Sequence, residues 1–193
     1  MNGFCLHPGS GGTSFKLPIV KTNEPNGVQI IPATEEHLPA IAELADIIWR
    51  ACYPGIIDQA QIDYMLAQMY AFDVLCDELH SQGIRYDRLL VAGKLAGFAS
   101  YGPGSEPGVM KLHRLYLLPE MQGRGLGSRL LQHVEGEVSA RGARRLILSV
   151  NKRNAKAIAT YQRNGFVIAE SVVTDIGGGF IMDDYTMTKN CSA

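Results

Sequence analysis

From about residue 27 the chain alternates between two hydrophobic periods. "GVQIIPAT" is a short apolar run closed by proline, and it reads as a strand. Thr34, Glu35 and Glu36 then place a capping residue and two acids where a helix would begin. Leu38, Ile41, Ala42, Ala45 and Ile48 recur at helical spacing until Pro54-Gly55 breaks the pattern. Asp58 caps a second predicted helix carrying Ile62, Met65, Leu66 and Met69, and a third helical stretch runs from about Asp73 to Gln82 before Gly83. The period then shortens. "YDRLLVAGKLAGFASYG" predicts two strands around Ala92-Gly93-Lys94, and "GVMKLHRLYLLP" a longer one. Gly127 to Arg141 returns to the helical period, with Leu130, Leu131, Val134 and Val138 on one face and Gly142 at its end. "RRLILSV" predicts a strand, and Asn154 caps a short helix, "AKAIATYQR", that ends at Asn164-Gly165. "FVIAESVV" and "FIMDDYTM" close the chain as strands joined through Gly177-Gly178-Gly179. Strand, helices, three strands, helix, strand, helix, two strands is the order of a mixed α/β domain.

Composition narrows the class. With 193 residues, 46% hydrophobic and 19% charged, the chain is long and apolar enough for one ordinary core. A net charge of −1 makes no electrostatic case for nucleic acid or an anionic membrane. Cys5, Cys52, Cys76 and Cys191 are scattered and form no C-x-x-C pair, so neither zinc nor a redox dithiol is indicated. No run approaches a membrane span, and the N-terminus lacks the pattern of a signal peptide, so a reducing cytoplasm is expected. Residues 1–26 are rich in Gly, Ser, Pro, Thr and Asn and read as a poorly ordered extension. The expected domain is 27–189, with 190–193 a tail.

Within "LYLLPEMQGRGLGSRLL", Leu115 to Leu131, the glycines at Gly123, Gly125 and Gly127 stand out. Glycine inside a regular element costs about 0.5–1 kcal/mol relative to alanine, so three need a reason. A strand, a glycine loop and then a helix is the layout of an anion site, where helix-terminal N–H groups converge and no side chains obstruct them. The loop lacks the lysine of a phosphate loop, and Ser128 stands where a dinucleotide fingerprint needs glycine. A plain strand-to-helix turn is the alternative.

Gln122-Gly123-Arg124-Gly125-Leu126-Gly127 resembles the Q/R-x-x-G-x-G/A signature of GNAT-type N-acetyltransferases. "LSVNKRNAKAIATYQRNGF", Leu148 to Phe166, resembles a second pattern of that family, L-x-V-x-x-x-N-x-x-A-I-x-x-Y-x-x-x-G-F, position by position. The resemblance covers roughly Gln29 to Met187 in element order and is sharp between Leu115 and Phe166. It implies the GNAT fold, an α/β domain whose mixed, mostly antiparallel sheet is flanked by helices. In that fold a splayed parallel strand pair, here the strands ending at Leu118 and Val150, holds acetyl-CoA. It further implies acetyl transfer to a primary amine by direct attack. A small-molecule amine is the first choice of acceptor, a protein N-terminus or lysine the second, and a non-catalytic acyl-CoA-binding domain a third reading. No metal is implied; a homodimer is possible.

Site residues follow from the same resemblance. Leu115, Leu117, Gln122, Gly123, Arg124, Gly125, Gly127, Ser128, Asn154 and Tyr161 are the expected cofactor contacts. The backbone N–H of Leu117 is the expected oxyanion donor and Tyr161 the expected acid that reprotonates the leaving thiolate. On spacing alone Tyr161 reads first as a core residue, and Asn154 as a helix cap. The base is unsettled. Family members carry a glutamate early in the cofactor-contacting strand or in the next one, where this chain has Lys111 and Ser149. His113 matches a histidine of arylalkylamine acetyltransferases and would titrate near 6.5, the reference value for histidine. Asp183 and Asp184 are the other candidates, of which only one can face a cleft. Water relayed through His113 or an aspartate such as Asp184 is the favoured route. Trp49, Tyr53, Tyr64 and Tyr70 either line the acceptor pocket or pack between helices.

Overall fold

In a computed structural model, residues 27–191 are described. The expected extension over 1–26 and the last two residues of the tail lie outside them. Strand β1 (Val28–Pro32) leads into a single 3-10 turn, Glu35–His37, and helix α1 (Leu38–Cys52). The helix expected from Thr34 thus starts later, because Pro39 sits in its first turn, where a missing N–H costs nothing. Helices α2 (Gln59–Met69) and α3 (Phe72–His80) follow; Asp58 caps α2 by accepting from the Gln61 N–H at 2.7 Å. Strands β2 (Arg85–Val91), β3 (Lys94–Pro103) and β4 (Val109–Leu117) come next. Helix α4 (Leu126–Ala140), strand β5 (Arg145–Asn151), helix α5 (Ala155–Arg163) and strands β6 (Val167–Gly177) and β7 (Phe180–Asn190) complete the chain. Strand β7 runs one residue past the expected domain end, pairing Asn190 with Arg145.

Among the described residues the strands form one sheet in the order β1-β2-β3-β4-β5-β7-β6. Only β4 and β5 pair in parallel, and only over Val109–Leu112 against Arg145–Leu148. Beyond Leu112 and Leu148 no register joins them, while β4 stays on β3 up to Leu117 and β5 stays on β7 up to Asn151. The sheet therefore opens at its centre. The opening begins at a bulge, where Tyr101 pairs with Leu112 and Ser100 with Arg114, leaving His113 as the extra residue. Such an insertion bends its strand and strengthens the local twist, which carries β4 away from β5.

Two cores flank the sheet. Under α4 and α5 lie Leu112, Leu117, Leu130, Leu131, Val134, Val138, Leu146, Leu148 and Met187. Each fully buried side chain of this kind contributes about 1.5–3 kcal/mol. Under α1–α3 the packing is aromatic, with Trp49, Tyr70, Tyr86 and Phe98 buried.

Candidate active site

The glycine loop lies where β4 ends. Gly123 and Gly125 have φ of 75° and 76°, in the left-handed region that glycine alone adopts freely. A Cβ on either would meet nothing within 4 Å, so the space above this backbone is open. Gly125 is the N-cap of α4, a helix of 15 residues, and it turns the first free N–H groups of that helix toward the open space. Gly127 serves a packing role instead, since its Cα faces Leu117, whose Cδ1 would lie 3.4 Å from an added Cβ. Leu117 is also pressed against Gly97, where a Cβ would come within 2.4 Å of Leu117 Cδ2. One glycine from a strand and one from a helix thus fix a single leucine.

That leucine carries the expected oxyanion donor. The Leu118 N–H donates to the Ala96 carbonyl of β3 at 2.9 Å. Successive N–H groups of a strand point to opposite sides in the plane of the sheet, so the Leu117 N–H is directed into the gap that β5 has left. The Leu117 carbonyl, on the same side, accepts from Gln122 Nε2 at 3.4 Å. Gln122 also accepts from Lys156 Nζ at 2.6 Å, which brings a cation of the first turn of α5 to the loop. Lys156 was not among the expected contacts; its place inside the second motif, two residues after the cap Asn154, was the available signal. Asn154 accepts from the Ala157 N–H at 3.1 Å, the capping role, and Ser128 Oγ accepts from Asn164 Nδ2 at 3.0 Å, tying α5 to the start of α4. Arg124 is exposed, with Nη1 3.3 Å from Met121 Sδ. Leu115 is half-buried against the aliphatic core.

Tyr161 packs edge-on against Phe166, with ring centroids 5.8 Å apart. It belongs to the α4–α5 side, yet the phenol of Tyr116, from the other face of β4, is the electrostatic neighbour acting on it. Burial first, then Tyr116, raises the Tyr161 pKa, so the hydroxyl keeps its proton at neutral pH. Tyr53 Oη lies 3.4 Å from Tyr116 Oη. Three phenols therefore gather where the sheet opens.

The base candidates sit on the face that α1–α3 only partly cover. His113 is desolvated and flanked by Lys111 and Arg114, which lowers its pKa to about 4. It is neutral near pH 7, and an acidic limb near 6.5 is not its signature. The reference value does not hold because burial and two cations disfavour imidazolium. Asp184 is half-buried, with its pKa raised by desolvation and then by Asp183. Asp183 is exposed and paired with Lys152. His113 Nε2 and Asp184 Oδ1 are buried with no partner.

The four aromatics divide. Trp49 and Tyr70 are core, 1% and 7% exposed. Tyr53 stacks on Trp49 at 4.4 Å and reaches Tyr116. Tyr64 donates to the Ile176 carbonyl at 2.8 Å and holds the β6–β7 turn. Sequence reasoning missed the pair that anchors β4. Arg114, 4% exposed, donates to Glu78 of α3 at 2.6 and 3.0 Å and to the Met69 carbonyl at 3.0 Å. Nothing in a lone glutamate at position 78 announced it.

A mostly antiparallel sheet parted at one parallel pair, with a glycine-capped helix at the mouth, defines the class of acyl-CoA-dependent transferases built on this fold. The family model described as "Acetyltransferase (GNAT) family" matches residues 41–166, and the chain belongs to that family of acetyl-CoA-dependent N-acetyltransferases. It is 27% identical over 160 residues to a spermidine N(1)-acetyltransferase of Thermoplasma acidophilum, covering 81% of this chain and 96% of that one. The crystal structure of the PaiA N-acetyltransferase from Thermoplasma acidophilum in complex with coenzyme A superposes with a TM-score of 0.72 at 24% identity, over 84% of this chain and 98% of that one. The ribosomal-protein-S18-alanine N-acetyltransferase of Escherichia coli gives 0.66 at 22% identity, over 86% and 95%. Among the described residues no cluster suited to a metal ion occurs, and no helix is long and apolar enough to cross a membrane.

Proposed function

We propose that residues 27–189 form a catalytic domain that acetylates a primary amine of a small molecule. The observation that carries this reading is the gap between β4 and β5, with the Leu117 N–H directed into it and Tyr161 at its flank. The residues fit acetyl-CoA. The free N–H groups around Gly125 and the first turn of α4 would hold its pyrophosphate, and its thioester would supply the activated acetyl group. The Leu117 N–H would hold the carbonyl oxygen as charge gathers on it. The amine attacks as the free base, so a proton must leave it first; Asp184, with its raised pKa, or neutral His113 would order the water that takes it. A C–N bond would form as the attacking nitrogen gives its second proton to the ordered water, the C–S bond would break, and Tyr161 would give its proton to the leaving sulfur and regain one from solvent. The 27% identity to a spermidine acetyltransferase over most of both chains supports the small-molecule reading.

Calorimetry with acetyl-CoA tests the site. Gly125→Glu places a side chain at φ 76° and a negative charge where the pyrophosphate would lie. Affinity should fall by more than about tenfold, roughly 1.4 kcal/mol. A folded Gly125→Glu protein with unchanged affinity would remove the loop from the cofactor site.

A further inference from the structure

The uncommitted charge of the site is Lys111. Its neighbour Leu112 is buried under α4, so alternation sends Lys111 to the opposite face, level with Ile147 of β5 and, one strand on, with Thr188 of β7. Beyond β4 the described helices meet this side of the sheet at the β6–β7 turn, through Gln61 and Tyr64 of α2; between, Ser149 is exposed and Ile147, Thr186 and Asp184 are half-buried. Of the other lysines around the gap, Lys152 pairs with Asp183 and Lys156 donates to Gln122, while Lys189 lies on the opposite face against Glu135 of α4. Among the described residues Lys111 has no carboxylate at ion-pair distance, although its charge acts on both His113 and Asp184.

The same face holds polar atoms awaiting a partner. His113 Nε2, Asp184 Oδ1 and Thr188 Oγ1 are all buried without one, whereas such atoms in folded proteins are nearly always hydrogen-bonded. Carboxylates stand farther along the same face. Asp184 is level with Asn151, beside the open end of the strand gap, and Glu170 of β6 is level with Thr186, the next position on that face. This face thus carries Lys111 near the closed end of the parallel pair and two carboxylates toward the gap.

A polycation laid along it would press a positive group on Lys111. A neutral-tailed amine would leave Lys111 half-buried without a counter-ion. An amine that also carries a carboxylate satisfies both ends. We propose that the acceptor is an amino-acid-like zwitterion, its carboxylate held by Lys111 and its amine presented at the Asp184 end beside the gap. This rests on the acetyl-transfer reading and narrows it.

The test is CoA release with acetyl-CoA and a chain-length series of glycine, β-alanine, 4-aminobutyrate and 6-aminohexanoate, each beside its primary amide, with spermidine as the polycation. At one chain length the acid should exceed its amide in kcat/KM by about tenfold or more, the weight of a charge-assisted contact. In Lys111→Met that ratio should fall toward one, with acetyl-CoA affinity by calorimetry reporting that the protein is folded. Turnover of the amides or of spermidine at least as fast as of every acid would overturn the zwitterion while leaving acetyl transfer in place. An acid preference that survives in Lys111→Met would remove Lys111 from the recognition. Release with none of these acceptors, although acetyl-CoA binds, would remove the small-amine reading and this inference with it.

Discussion

Under α4 the sheet meets Leu130, Leu131, Val134 and Val138; under α1–α3 it meets Trp49, Tyr70, Tyr86 and the guanidinium of Arg114. The first face is closed by aliphatic packing and carries the glycine loop, the proposed cofactor site, at one end of its helix. The second is held by directional contacts and leaves the strands between β4 and the β6–β7 turn partly uncovered, which is where the proposed acceptor would enter. A face built from leucine and valine tolerates exchange among apolar residues of similar volume. A face built around one buried ion pair does not, because either partner alone becomes an uncompensated charge. The two faces therefore divide the work. The aliphatic side keeps the loop and Leu117 rigid, and the polar aromatic side sets where β4 leaves β5.

The largest effect should therefore come from Glu78. Its carboxylate takes two bonds from Arg114, 2.6 and 3.0 Å, and one from the Tyr86 hydroxyl. Glu78→Ala strands a guanidinium that is 4% exposed, beside the bulge at His113. A loss of about 3–5 kcal/mol in urea unfolding is expected. Combining Glu78→Leu with Arg114→Met removes both charges and should recover part of that loss. If the double variant is no more stable than Glu78→Ala, the pair is not what distinguishes this face.

This contrast also explains what the sequence disclosed. The element order was legible throughout, because hydrophobic period and turn residues report local structure. The glycine loop was legible in residues, since Gly123 and Gly125 sit where a positive φ is required and the two motifs place Gln122, Asn154 and Tyr161 along one short stretch of chain. The helix-covered side was not. Glu78 and Arg114 are 36 residues apart and meet only through the packing of α3 on the sheet. Gly97 reads as an ordinary strand glycine until Leu117 is laid against it. His113 looked like a histidine with an ordinary pKa, and its burial next to two cations is a tertiary fact. Trp49 and Tyr70, pocket candidates by the resemblance, are taken up by the core.

Next in size is Tyr161, where both faces meet, since it packs with the aliphatic core while Tyr116 and Tyr53 approach from the other. Tyr161→Phe keeps the contact with Phe166 and deletes only the hydroxyl. As the acid of the reaction it should cost roughly 10²-fold in kcat with acetyl-CoA affinity unchanged. Turnover equal to the parent would return Tyr161 to the core and leave the sulfur to be protonated by water.

The smallest expected effect tests whether the aliphatic face has a charge device of its own. Asp87 of β2 is 3% exposed and accepts from the Tyr101 hydroxyl at 2.8 Å; His133 of α4 lies 2.8 Å from the same carboxylate oxygen. Asp87, by hydrogen bond and charge, and Glu137 raise the His133 pKa, against burial and Arg141, which lower it. A histidine whose folded pKa lies above its unfolded value stabilises fully below about pH 6.5, and the contribution is lost as pH rises through the folded value. The side chain of His133 is 29% exposed, so the pair is worth about 1 kcal/mol or less. In a protein of this size that is about 2–4 °C in Tm, declining from pH 6 toward pH 8 and absent from His133→Gln. Arg114 on the other face stays charged across that window, so Glu78→Ala should lower Tm alike at both ends of it. If parent and His133→Gln melt in parallel from pH 6 to 8, α4 is held by apolar contacts alone, and the two faces differ more sharply than the Asp87–His133 geometry implies.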